Sequence, residues 1–393
     1  SGGNSLSSIV LGADGTEELT GASNLVVDYS NYTGTTSTIW ADDAFDNSES
    51  GLVTLQVIGT SGAGDSLLAS YDADTDATVQ LNMQGVETLT TVLGDSNTEL
   101  DMDMSLVTGL TLMNISDTSS ESVELSSLAA GVTVDVTSTE AVDTTVEIQR
   151  AVLTGTESQS VNVSAASADD GVAIVMADVE TLVVKPESAN QVDLNLAGLS
   201  MTAAGATMAV NFIGANDVEL VGLGADVTTI DASGMSTGGA VVQTGRSATA
   251  ASTYTGSSGS DTFIMRNAGD VLAAGAGTDT LDINFDAILG GVNVDLSSTT
   301  NQIVSMNGSA PTGTVTGFEN VDASGYTGNS GAQITAVATG STITGTANVD
   351  AITLGAASDI VNATDAVATA TSVNVDVITG FTAGATTTDN IKL

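Results

Sequence analysis

Apolar and polar residues alternate in short runs along almost the whole chain. In GVTVDVTST, starting at Gly131, Val132, Val134 and Val136 occupy every second position, and Val161 and Val163 do the same in SVNVSAA. In DVETLVV, β-branched residues cluster between Val179 and Val184. A period of two puts all the apolar side chains of a strand on one face, so these runs predict half-buried strands, and the Gly, Asp and Ser residues between them predict turns. No long stretch has the 3.6-residue spacing of an amphipathic helix, although a helical turn is expected near Ser126 to Ala130. The pattern predicts an all-β chain.

Loose echoes run through it. GVETLTT at Gly85, DVETLVV at Asp178 and GFENVDASG at Gly317 share a glycine or aspartate, then an acidic residue, then apolar residues. DASG occurs at Asp231–Gly234 and again at Asp322–Gly325. Without a fixed interval, these echoes fit coils of a repeating β architecture with insertions, and an array of β-sandwich domains stays open.

One stretch does have a fixed interval. Asp261, Asp270 and Asp279 stand nine residues apart, and Phe263, Leu272 and Leu281 follow each by two. Glycines precede the first and third aspartates in GSSGSDTFI and AGAGTDTLD, whereas Asp270 has only Gly269 before it. Nine residues make half a coil: a tight turn offers carbonyls and one carboxylate, and a short strand points its large residue inward. Two such units place Asp261 over Asp279 on one flank and Asp270 on the other. A fainter trace puts Asp350 in TANVDAITL and Asp359 in GAASDIVNA. The next position in step is Ala368, so that array is expected to stop there. The alternative is a set of surface turns in a Gly/Asp-rich β protein.

These residues resemble the RTX, or hemolysin-type, calcium-binding repeat, GGxGxDxUx with U a large apolar residue. The resemblance implies a parallel β-roll in which Gly259, Asp261, Gly277 and Asp279 ligate Ca2+, with Asp270, Asp350 and Asp359 as further candidates. The closing DVITGFTAGATTTDNIKL, with Asp376, Ile378, Phe381, Gly384, Asp389, Ile391 and Leu393, is similar to the ending of RTX proteins exported by type I secretion. Repeat and ending together cover about the last third of the chain.

Charge narrows the partners. Among 393 residues, 48 are acidic and 5 basic, a formal charge of -43. A compact form therefore repels itself unless cations bind or the charges are well spread. Arg150, Lys185, Arg246, Arg266 and Lys392 are too few to neutralise a phosphate backbone, which excludes nucleic-acid binding, and anionic membrane surfaces would repel the chain. The absence of cysteine removes disulfides. With histidine also absent, hard oxygen ligands suited to calcium remain.

A further acidic run, YDADTDATVQ, sets Asp72, Asp74 and Asp76 at alternate positions like the first ligands of an EF-hand loop. It lacks that loop's glycine and closing glutamate, so a non-EF calcium site and a solvated acidic turn are both open. Asp42, Asp43 and Asp46, and Asp169 with Asp170, read as solvated turns. The uncharged stretch from Leu194 to Asn216 invites a membrane span, but interruptions by Gly, Thr and Asn favour buried strands. No signal peptide is visible at the start.

Catalytic equipment is sparse. Without His or Cys the usual triads and dyads cannot form, and one tryptophan with five tyrosines does not build a sugar platform, so no enzyme is expected. Aromatics make up only 3%, which suits a β-solenoid with a narrow interior.

The expected fold is all-β: a parallel β-helix or β-roll solenoid with RTX-like calcium turns, with room for β-sandwich insertions. Two regions are expected: a repetitive lattice region over 1–245, with a sub-boundary near 145, and an RTX-like region over 246–393. The resemblance extends to RTX-type surface-layer proteins of Gram-negative bacteria. It implies an extracellular, self-assembling subunit of a calcium-dependent lattice, attached to surface polysaccharide by an anchor not seen in this chain, without membrane insertion. The alternative is an RTX-type adhesin or biofilm-matrix fibre.

Overall fold

The computed structural model describes residues 16–20, 25–28, 38–42, 53–59, 64–71, 77–93, 99–117, 122–139, 144–153, 157–167, 170–236, 239–244, 250–285, 290–362, 376–381 and 389–392. Among these there is no helix, and nearly every strand pairs in parallel. Over most of the chain each strand bonds to the next but one, so successive strands alternate between two long sheets of 13 and 16 strands. Parallel neighbours separated by a strand of the opposite sheet define a coil. The fold is a parallel β-helix or β-roll solenoid, the expected all-β class.

The chain packs as two compact units. The first comprises Ser1–Asn211 and Val221–Asp226. In one of its sheets Thr88–Leu93, Leu112–Asp117, Thr133–Ser138, Ser158–Ala165 and Thr181–Pro186 lie side by side. In the other, Glu99–Asp103, Ser122–Leu128, Thr144–Arg150, Gly171–Ala177 and Val192–Ser200 do so. Val134, Val136, Val161, Val163, Leu182 and Val184 are buried, which is the apolar face read from the alternation.

Two local expectations meet different fates here. Leu194 to Asn216 forms strands Val192–Ser200 and Met208–Gly214, with Leu194, Leu196, Met208, Val210 and Phe212 buried. No helix among the described residues is long and apolar enough to cross a membrane. The helical turn expected near Ser126 is instead the end of strand Ser122–Leu128. There the register with Thr144–Arg150 shifts between Leu125 and Leu128, and Ser127 takes φ 60°. Pairing with Asp103 on the preceding coil outweighs the helical preference of Leu-Ala-Ala.

The second unit comprises Phe212–Leu220 and Val227–Leu393. Its coils are shorter and regular: Tyr254 pairs with Leu272, and Phe263 with Leu281. Between Thr253 and Ile283 each half-coil is the nine-residue unit seen in the sequence. The narrow interior is filled by Tyr254, Phe263 and Phe318, whose ring centroids lie 5.6 and 6.5 Å apart in succession. The regular winding is then interrupted by an antiparallel hairpin, Val292–Asp295 with Ile303–Met306. Val292–Asp295 begins a third sheet that continues in parallel through Gln333–Thr335, Ala351–Thr353 and Val377–Thr379.

Candidate cation-binding turns

Asp261 and Asp279 stack as the nine-residue step requires. The amide N–H of Asp261 donates to Asp279 Oδ1 at 2.8 Å, and the amide of Val241, one coil earlier, donates to Asp261 Oδ1 at 2.6 Å. Asp261 Oδ2 accepts the amide of Ser257 at 2.7 Å. Both aspartates are 1% exposed. They are not acids on a solvated surface turn: each carboxylate reaches along the solenoid axis and ties one coil to the previous one.

The glycines between them are forced by close approach. A Cβ on Gly277, which has φ +148°, would lie 2.0 Å from the Gly259 carbonyl oxygen, and one on Gly259 would lie 2.3 Å from that of Gly239. Only Gly lets these turns stack so tightly, and the stacking brings backbone oxygens against the aspartates. The Gly259 oxygen and Asp279 Oδ1 both sit within 3.1 Å of the space that a Gly277 Cβ would take.

Asp270 lies on the other flank and is fully buried. Its Oδ1 accepts the amide of Ser252 at 2.9 Å, and its Oδ2 those of Arg266 and Asn267 at 3.0 Å. Asp350 and Asp359, also fully buried, repeat the arrangement. Asp350 accepts the amides of Ala332 and Thr346, and Asp359 those of Ser341 and Gly355. The structure therefore puts Asp261, Asp270, Asp350 and Asp359 in equivalent turns, each accepting an amide one coil back and one four residues back, whereas Asp279 accepts only the amide of Asp261.

One expectation is overturned. Ala368 falls at the next nine-residue position, but the columns do not stop at Asp350 and Asp359. The amide of Asp350 donates to Asp376 Oδ1 at 2.8 Å, and that of Asp359 to Asp389 Oδ1 at 2.9 Å. The connections before these residues are longer, so the column survives while the sequence interval does not.

A second carboxylate device is hidden in the uneven echoes. In all three, a residue with positive φ (Gly85, Asp178 or Gly317) precedes a buried apolar residue (Val86, Val179 or Phe318) and then a glutamate. Glu87, Glu180 and Glu319 each use Oε2 to accept the amide of a residue one coil back: Asp65, Glu157 and Asp279, at 2.8, 2.7 and 2.9 Å. The carbonyls of those same residues accept amides from the strands that the glutamates begin. The sequence shows the echo; the function of the glutamate appears only once the coils are stacked. The DASG echo is also one local device, in which Asp231, inside strand Val227–Met235, and Asp322, at the end of strand Asn320–Asp322, accept the amides of Ser233 and Ser324 at 2.9 Å.

Burial dominates the electrostatics. It pushes the Asp279 carboxyl up to about 7, and the nearby charges of Asp261 and Glu319 push the same way. Burial also raises Asp261 and Asp350. Asp279 Oδ2 is buried and makes no hydrogen bond, unlike every carboxylate oxygen described above for Asp261, Asp270 and Asp359. A hard cation fits this set, because it is made of carboxylates and glycine carbonyls and one buried acceptor lacks a donor.

A separate cluster lies in the first unit. Carboxylate oxygens of Glu99, Asp101 and Glu124 lie within 4.8 Å of one another and are placed to hold a metal ion. The signal that would have found them is an outward acidic position repeated on paired strands: Asp101 stands beside Glu124, and Glu124 beside Glu147. Asp72, Asp74, Asp76, Asp43, Asp46 and Asp169 lie outside the described residues, and Asp42 ends strand Thr38–Asp42. Asp170, expected in a solvated turn, is 3% exposed and folds back on Ser167, whose amide and hydroxyl donate to it at 2.6 and 2.8 Å.

No family model matches the chain, and neither any curated protein nor any solved structure is significantly similar to it. The solenoid and its carboxylate columns are the structural facts on which a function has to be built.

Proposed function

We propose that the protein is a secreted structural subunit that binds Ca2+ in its stacked turns and self-assembles into a surface layer on a Gram-negative cell. The observation that carries this reading is the buried carboxylate of Asp279, with an oxygen lacking any hydrogen bond, among stacked glycine turns and beside Asp261 and Glu319. Burying one unpaired carboxylate is costly, and burying several in columns is costlier, so the native coil favours conditions in which a cation is present. The charge of -43 works in the same direction.

The mechanism is ligand-linked folding. Where calcium is scarce, the columns repel and the chain stays loose enough for export; outside the cell, calcium binds the native turns alone. A site filled at a hundred times its dissociation constant adds about 2.7 kcal/mol, and several sites add together. Outward acidic groups such as Glu99, Asp101 and Glu124 supply places where an ion could join neighbouring subunits. The sequence offers no catalytic constellation, and no enzymatic role is proposed.

Calcium titration with circular dichroism and electron microscopy tests the reading. Planar arrays that dissolve on chelation, together with loss of β signal, support it. Extended calcium-dependent filaments would move the assignment to an adhesin or matrix fibre, and a spectrum and particle size indifferent to calcium would remove both.

A further inference from the structure

We infer that one flank of the first unit, from Leu106 through Ala130 to Leu153, is a docking surface for a second copy of this chain, with Arg150 taking a carboxylate of that copy. This rests on the self-assembly reading above and gives the assembly an interface.

Three successive coil corners build the flank. After strands Glu99–Asp103, Ser122–Leu128 and Thr144–Arg150 the chain turns through residues 104–111, 129–132 and 151–153. Strand pairing stacks these corners: Asp103 lies beside Ser126, Leu128 beside Arg150, and the amide of Ala151 donates to the Leu128 carbonyl at 3.0 Å. None of the three corners contains a charged residue, in a chain that has 48 acidic ones. Val152, Leu153 and Leu106 are 67%, 49% and 46% exposed, and Ala129, Ala130 and Ala151 are exposed beside them. Carboxylates bound the patch on both sides, with Glu87 on the coil before and Asp178 on the coil after. An exposed apolar patch with a charged rim marks a contact surface.

Two grooves open along it. One, of about 250 Å³, is lined by Met104, Val107, Leu110, Leu128 and Val132 and offers a socket for an aliphatic side chain. The other, of about 440 Å³, has Leu153, Val175, Ala177 and Gly198 in its lining together with Arg150. Arg150 is incompletely used. Its Nη1 donates to Gln159 Oε1 at 2.6 Å and to the Ser158 carbonyl at 3.3 Å, both neutral acceptors, and its Nε is buried with no acceptor. Lys185 has an ion-pair partner in Glu187, whereas Arg150 has none among the described residues. The two acids in the same groove do not serve it: Asp178 accepts the amide and hydroxyl of Thr202, and Glu147 accepts from Gln149. A guanidinium held this way lacks a carboxylate. Two chains of charge -43 repel each other, so acidic faces can meet only with ions between them, but this flank presents apolar surface and a cation. A second copy brings 48 acidic residues and so supplies the carboxylate that Arg150 lacks.

The chain has no cysteine, so Val152→Cys places a single thiol on the flank, and Val304→Cys, 47% exposed on the hairpin of the second unit, is its counterpart. Each variant of the full chain would be treated with a thiol reagent in calcium, below and above the concentration at which light scattering shows assembly. The expected result is that Val152→Cys loses its labelling on assembly while Val304→Cys keeps it. Arg150→Gln should raise the concentration needed for assembly by about tenfold or more, as loss of a central interface arginine does, with the circular dichroism of wild type at saturating calcium. Arg150→Gln that assembles like wild type, or equal protection of the two thiols, would overturn the inference while leaving self-assembly intact. Protection of Val152→Cys by phosphatidylcholine vesicles where the chain is monomeric would assign the flank to a lipid surface and overturn it too. A wild-type chain that stays monomeric at every calcium concentration would overturn both this inference and the reading it rests on.

Discussion

The amide of Asp350 donates to the carboxylate of Asp376 at 2.8 Å, so a residue from the closing segment holds the coil that precedes it. Asp389 does the same for Asp359 on the opposite flank, at 2.9 Å. The closing segment therefore adds a further coil to the carboxylate columns. Replacing Asp389 with Ala leaves the amide of the fully buried Asp359 without its acceptor, and such a loss costs about 1–3 kcal/mol. Asp295→Ala removes only two exposed bonds, from the amide and the hydroxyl of Ser297, and should cost less. Hydrogen exchange should show faster opening of residues 350–362 in Asp389→Ala and little change in Asp295→Ala. Equal protection in the two variants would remove the structural role assigned to the closing coil.

The stacked turns make a contrast between two glycines. Gly205 has φ +80° and open space where a Cβ would go, so Ala there pays only for its backbone conformation, about 1–2 kcal/mol. Gly277 combines φ +148° with a Cβ position 2.0 Å from the Gly259 carbonyl oxygen, so Ala there must push two coils apart. Urea unfolding should rank Gly277→Ala well below Gly205→Ala in stability. Calcium should rescue Gly277→Ala less than it rescues wild type, because the displaced turn carries the site.

The part of the second unit around Asp261 to Asp279 is legible in the sequence because the coil length there is constant. When every half-coil has nine residues, Asp261 and Asp279 as well as Phe263 and Leu281 fall in register along the axis, and the sequence shows the register as a spacing. The first unit hides the same architecture. Thr88 pairs with Leu112 and Thr133 with Ser160, steps of different length, because the loops that join the strands differ. Strands survive such variation because alternation is local; the period does not, and with it goes the position of Glu87 relative to Asp65. Asp376 and Asp389 are hidden for the same reason. The turn at Ser126 departs from expectation for another: its sequence favours a helix locally, and the neighbouring coil decides the outcome.

Asp282 and Asp322 stand side by side on paired strands. Burial first, then the charge of Asp322, pushes the Asp282 carboxyl up to about 6, while Arg266 pulls the other way. Asp279, raised mainly by burial to about 7, behaves alike. Both groups hold protons in the folded chain that the unfolded chain, titrating near 3.8, has released. Stability without divalent ions should therefore rise as pH falls from about 7 towards about 4. Asp103, lowered by its bonds to Ser105, works in the opposite sense only once pH drops below about 4. Urea midpoints in chelator should increase between pH 7.5 and 5, and saturating calcium at pH 7.5 should flatten the dependence. A midpoint that falls over that range would contradict the burial of these carboxylates.

The acidic ladder of the first unit gives a prediction of opposite sign to most substitutions. Asp101, Glu124 and Glu147 sit in register on three successive strands of one sheet, and Gln149 Nε2 bridges Glu124 and Glu147 at 2.7 and 3.1 Å. Burial and then the charges of Glu147, Asp101 and Glu99 hold the Glu124 carboxyl above its usual range. Like charges directly opposite each other cost about 0.2–1 kcal/mol per pair. Glu124→Gln removes the central charge, so without divalent ions it should stabilise the protein by about that amount at low ionic strength. The gain should shrink in high salt, which screens exposed charges. Calcium should reverse the order, because wild type keeps the three carboxylates of the Glu99, Asp101 and Glu124 cluster and the variant does not. Thermal melts of the two proteins, with chelator and with calcium, would show the curves crossing if the cluster takes an ion. Parallel shifts in both conditions would mean that Glu124 contributes repulsion alone.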